Sequence, residues 1–98
     1  MKAYNLSNKA ESDLESILLY TVDAWGEEQA ERYLSDLVDC FDMIAERPGV
    51  GRPCERVHPG LRRIEQGKHV IFYRVEKNGI LISRVLHQSR LPQREEFL

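Results

Sequence analysis

Two apolar stripes at helical spacing fill the first half of this chain, with one glycine between them. Ala10, Leu14, Ile17, Leu18, Thr21, Val22 and Trp25 recur at intervals of three and four residues, as do Ala30, Tyr33, Leu34, Leu37, Val38, Phe41, Ile44 and Ala45. Gly26 interrupts the pattern, and Arg47-Pro48-Gly49 stops it. Amphipathic helices with almost no linker must fold back on each other, so this stretch predicts an αα-hairpin. Ser7 or Asn8 offers the N-cap, and Asn8 with Glu11 has capping-box spacing. Ahead of it, Lys2–Leu6 reads as an edge strand.

The periodicity changes after Pro59. Three strands are expected, Leu61–Gln66, His69–Glu76 and Ile80–His87, with turns at Gly67-Lys68 and Asn78-Gly79. Pro48 to Pro59 reads as a loop. The fold class is therefore α+β: an N-terminal strand, an αα-hairpin, then a three-stranded antiparallel meander with the helices on one face of the sheet. A 98-residue chain makes one domain, burying about 60–68% of its unfolded surface. Residues 1–46 supply the strand and hairpin, 60–87 the sheet and 88–98 a C-terminal tail. The core is expected from Leu14, Ile17, Trp25, Tyr33, Leu37, Phe41, Ile71 and Ile82.

Charge divides along the same line. Met1 to Glu46 holds three basic and eleven acidic residues; Arg47 to Leu98 holds eleven basic and five acidic. The acid belongs to the outer faces of the helices, Asp13 included, and the cations to the sheet. Such asymmetry points either to an acidic partner or to complementarity between the two halves. With two-residue loops at both turns, Arg62, Ile64, Ile71, Tyr73, Val75, Ile82, Arg84 and Leu86 share the face under the helices. There Arg62, Tyr73 and Arg84 form a row. Arg63, Arg74, Ser83 and His87 then face water, beside Val70, Phe72 and Val85.

Several blocks, in order, carry a family likeness. Ala10, Asp13, Leu14, Ile17 and Tyr20 form A-x-x-D-L-x-x-I-x-x-Y, followed by Trp25-Gly26 and by Gln29, Ala30 and Tyr33. Later come R-P-x-x-G-R (Arg47 to Arg52), G-L-R-R (Gly60 to Arg63), G-x-H-V-I-F-Y-R (Gly67 to Arg74) and R-V-L-H (Arg84 to His87). Together they resemble the ParE family of bacterial toxins, within the RelE/ParE superfamily. The resemblance implies a cytoplasmic protein that poisons DNA gyrase on cleaved DNA, without an enzymatic step of its own. It also implies neutralisation by a ParD-type antitoxin in a hetero-oligomer. Many relatives place an acidic residue soon after R-V-L-H, where this chain has Gln88-Ser89-Arg90-Leu91-Pro92. Candidate target or partner contacts are Arg62, Arg63, Arg74, Arg84, His87, Arg90, Arg94 and Phe97, the last in a tail expected to be peripheral.

Other chemistry finds less support. Cys40 and Cys54 lack a C-x-x-C partner or a histidine at ligand spacing, so no zinc site or cofactor is expected, and two free thiols suit a reducing compartment. No apolar run or signal peptide indicates a membrane. A pI near 5.9 with an acidic helical face disfavours independent nucleic-acid binding. The alternative within the superfamily is a RelE-like ribonuclease acting on ribosome-bound messenger RNA. It would use His69 and His87 as acid and base, Arg62, Arg63 and Arg84 on phosphate, and Tyr73 for stacking. The expected register does not bring the two histidines together.

Overall fold

The computed structural model describes residues 4–97. Its elements run β1 (Tyr4–Leu6), α1 (Asn8–Trp25), α2 (Glu27–Glu46), β2 (Arg52–Pro53), β3 (Leu61–Gln66), β4 (His69–Glu76), β5 (Gly79–His87) and a 3-10 helix at Arg94–Phe97. The fold is α+β. Lys2, in the strand expected over Lys2–Leu6, lies outside the described residues, as does Leu98.

Ser7 starts α1. Its hydroxyl accepts the Ala10 N–H at 3.0 Å and donates to the Ser83 carbonyl at 2.7 Å, tying the cap to β5. Gly26 separates the helices at φ 92° and ψ 167°, a region open essentially to glycine alone. Its N–H closes α1 on the Val22 carbonyl and its carbonyl opens α2 by accepting the Ala30 N–H. One residue thus serves as both stop and start, which is why no linker is needed.

The sheet has five strands in the order β1-β5-β4-β3-β2, with β1 parallel to β5 and the other pairs antiparallel. β1 is an edge strand. β2 was unexpected: two residues of the Pro48–Pro59 loop pair with Arg62 and Arg63. The β3–β4 register is as expected. The β4–β5 register is not. Among the described residues only glycines have positive φ, so Asn78 does not form the primed turn that an Asn-Gly loop requires. The loop is instead Lys77-Asn78, and Tyr73 lies opposite Ile82 rather than Arg84. The ladder is then irregular at Phe72/Tyr73: Ser83 is passed over and Phe72 pairs with Arg84.

This extra residue reverses the faces of the far half of β5. Val85 joins the helix-side core with Ile71, Tyr73, Ile82, Leu37, Phe41 and Ile17, while Leu86 turns to the opposite face. That face is not simply open to water. Leu61, Val70, Phe72 and Leu86 form a second apolar cluster, and Phe97 of the 3-10 helix covers it with its ring 5.1 Å from that of Phe72. Most of the expected core is inside, with Leu14 and Tyr33 partly buried at its margin. Trp25 is the correction, at 67% exposed. Helical spacing shows which side of α1 is apolar, but not whether a neighbour reaches its last turn. Asp13 also departs from expectation: it turns inward to Arg84.

Candidate partner-binding groove

Where the helical hairpin stands over the ends of β4 and β5, a groove of about 860 Å³ opens. Ser16, Tyr20, Thr21, Trp25 and Gln29 line its helical wall, and Lys68, His69, His87 and Arg90 its sheet end. Tyr20 is 72% exposed and Trp25 67%, so one helix presents two large aromatics to water along the groove. Thr21, the buried polar residue between them, satisfies its hydroxyl on the Ile17 carbonyl at 2.6 Å.

Tyr33 organises the sheet end. Its hydroxyl accepts the Lys68 N–H at 3.0 Å and lies 2.6 Å from His69 Nδ1, with the Gln66 carbonyl at 3.3 Å. His69 and His87 are directly paired across β4 and β5, their rings edge to face at 5.5 Å. The loop position and the skipped Ser83 together produce this pairing, so the expectation that the histidines do not meet is overturned. Burial, and then the neighbouring His87, hold the His69 pKa below its ordinary value, with Asp13 acting weakly the other way. Burial raises the Tyr33 hydroxyl.

Behind the groove, Arg84 grips Asp13 through two bonds of 2.8 Å, and Asp13 also accepts the Val85 N–H. Glu96 bonds the same guanidinium at 3.3 Å, as well as Arg90 and the Gln93 N–H. At 13% exposed, Arg84 is an internal strut, not a free docking cation. Arg62 is likewise engaged, donating to the Gly51 carbonyl at 2.6 Å and to that of Gly49. Arg63 lies over Phe72 and pairs with Glu65; Arg74 pairs with Glu76. The Nε of each is buried without a hydrogen-bond partner. Both stand on the face away from the helices. Arg94 is exposed and Phe97 is buried against the body. Of the expected contacts, the fold therefore gathers only His87 and Arg90 into the groove.

Of the groove's other members, Thr21 and Trp25 belong to the apolar stripe, Lys68 to the expected turn and His69 to the ribonuclease alternative. Tyr20 stood in the motif and Trp25 beside the Gly26 break, but an alternation pattern cannot report a missing neighbour. No three His, Cys, Asp or Glu among the described residues are placed to hold a metal ion, and no described helix is long and apolar enough to cross a membrane.

Residues 4–92 match the family model for the ParE toxin of the type II toxin–antitoxin system parDE. The chain belongs to the ParE toxin family. Toxin ParE1 of Caulobacter vibrioides is 48% identical over 89 residues, covering 91% of this chain and 92% of that protein. Toxin ParE1 of Mycobacterium tuberculosis is 44% identical over 86 residues, covering 87% and 88%. Among solved structures, a chain of the chromosomal ParDE system of P. aeruginosa superposes with a TM-score of 0.75 at 28% identity, over 89% of this chain and 96% of that one. The toxin–antitoxin complex RelBE2 of M. tuberculosis shares the fold, with a TM-score of 0.58 at 22% identity, over 87% and 95%. Membership makes this ParE-family chain a toxin of a type II toxin–antitoxin system.

Proposed function

We propose that this toxin poisons DNA gyrase by a non-enzymatic contact, and that a ParD-type antitoxin neutralises it by laying an amphipathic segment in the groove. The carrying observation is the exposed Tyr20–Trp25 wall beside the cationic end of the sheet, since a monomer seldom leaves such a patch without use. An antitoxin segment would bury both rings, as in other helix-in-groove contacts. Arg63 and Arg74, across the sheet, remain available to gyrase, to its DNA or to a second stretch of antitoxin. Purified gyrase, ATP and supercoiled plasmid test the target. Linear cleaved DNA should accumulate with toxin and disappear when the co-encoded antitoxin is added. Undisturbed supercoiling at high toxin excess would remove gyrase.

The meeting of His69 and His87 favours one second reading, acid–base cleavage of ribosome-bound messenger RNA. Against it, Arg62 and Arg84, two of its three phosphate clamps, are committed to internal bonds. Cleavage of messenger RNA on purified ribosomes, abolished by His69→Gln, would establish it in place of gyrase poisoning.

A further inference from the structure

The sheet end of the groove has an unusual charge balance. Asp13 and Glu96 are neutralised by Arg84 and Arg90, and the other polar groups of the helical wall, on Ser16, Tyr20, Thr21, Trp25, Gln29 and Tyr33, are uncharged. Lys68 forms no ion pair among the described residues. Both histidines, moreover, are held by Nδ1. His69 meets the Tyr33 hydroxyl there, and His87 takes the Ser89 N–H at 3.1 Å, with the Ser89 hydroxyl at 2.8 Å. The Ser89 N–H places the hydrogen of neutral His87 on Nε2, leaving a donor there, whereas the Tyr33 hydroxyl donates to the Gln66 carbonyl and so accepts the His69 Nδ1–H, leaving the His69 Nε2 to take an added proton.

From this arrangement we infer that Lys68, His69 and His87 form a carboxylate-binding subsite. It would receive an acidic side chain of the antitoxin segment whose apolar residues lie on Tyr20 and Trp25. The inference rests on the antitoxin reading above and adds its chemistry and its regulation. One lysine, the His87 Nε2–H and a protonated His69 Nε2–H suit a carboxylate, while a cation there would meet Lys68 and Arg90.

Tyr33 lets the site gain a proton without losing its frame. Its O–H donates to the Gln66 carbonyl at 3.3 Å, and its oxygen accepts the His69 Nδ1–H at 2.6 Å. When His69 gains a proton it enters on Nε2, and both of these bonds stay as they are. In the free toxin, burial and His87 oppose that proton. A bound carboxylate would favour it. Binding therefore takes up protons, and affinity rises as pH falls through the histidine range and is lost as pH rises above it. The groups facing His69 are Asp13 from α1, Tyr33 from α2, Lys68 from the turn, His87 at the end of β5 and Arg90 in the turn beyond it. Asp13 and Arg90 are already paired and change little.

The test is calorimetry of the toxin with its co-encoded antitoxin at pH 8.0, 7.0 and 6.0, in buffers of different ionisation enthalpy. Net proton uptake is expected near pH 6.5, with affinity about tenfold higher at pH 6.0 than at 8.0, the factor that one unit of pKa shift carries. His87→Gln, at an exposed ring, and His69→Gln should each remove part of that gain. Lys68→Gln should weaken binding at every pH while keeping the slope. Proton release, or equal slopes for wild type and both histidine variants, overturns the carboxylate subsite while leaving the antitoxin reading intact. No binding at pH 8.0 or below overturns both.

Discussion

Asp13→Ala is expected to lower the free energy of unfolding by about 3 kcal/mol, the lower end of what removing one member of a buried ion pair costs, because the pair is part-buried and Arg84 keeps Glu96. Each partner keeps only 13% of its side-chain surface, so water screens the pair little. The carboxylate accepts two guanidinium bonds and the Val85 N–H, and its loss would leave a backbone donor and a half-satisfied Arg84 inside. In the intact pair the Asp13 bonds raise the Arg84 pKa, and without them the guanidinium still cannot shed its proton, since it stays charged in proteins. For a small domain with about 5–15 kcal/mol in total, this is a large share. Urea denaturation checks it. The double variant Asp13→Ala/Arg84→Met should recover part of the loss, because no stranded charge remains. A single-variant loss below about 1 kcal/mol would place the pair in the class of exposed surface bridges.

Tyr73→Phe should have the next largest effect. Tyr73 is fully buried, and its hydroxyl donates to the Pro48 carbonyl at 2.7 Å and accepts the Gly51 N–H at 2.8 Å. Removing one oxygen strands both groups, each at a cost of about 1–3 kcal/mol when buried. This bond pair holds the chain reversal after α2, allowing β2 to reach the sheet. Gly51 belongs to the same device: a Cβ there would stand 2.6 Å from the Tyr73 hydroxyl and 2.9 Å from the Arg63 carbonyl. Alongside the loss of stability, the Gly51 amide should exchange with solvent far faster in Tyr73→Phe. Exchange at the wild-type rate would mean that the loop is held by Arg62 alone.

The helical hairpin was legible because two long stripes and one glycine admit few arrangements. The meander was legible from its turn residues, and the β3–β4 register with it. The β4–β5 register was not. Lys77-Asn78-Gly79 can close a hairpin at either of two positions, and Ser83 carries no mark of an extra residue beyond being small and polar. Those two details decided the site, since together they bring His87 opposite His69. Asp13 was visible as an acid beside Leu14, but its partner lies 71 positions away, beyond any local pattern. The arginines divide accordingly. Arg62 and Arg84 hold the fold together, whereas Arg63, Arg74 and Arg90 pair with Glu65, Glu76 and Glu96 nearer the surface.

Trp25 is the chain's single tryptophan, and it stands on the groove wall at 67% exposure. Fluorine-labelled at the indole, it reports on the groove through one resonance that no antitoxin tryptophan can obscure. Titration with the co-encoded antitoxin should move that resonance to a new, solvent-protected position at one equivalent, and Trp25→Ala should weaken the complex. A complex that forms by an independent measure while the resonance keeps its position and solvent sensitivity would contradict the groove as the antitoxin's seat.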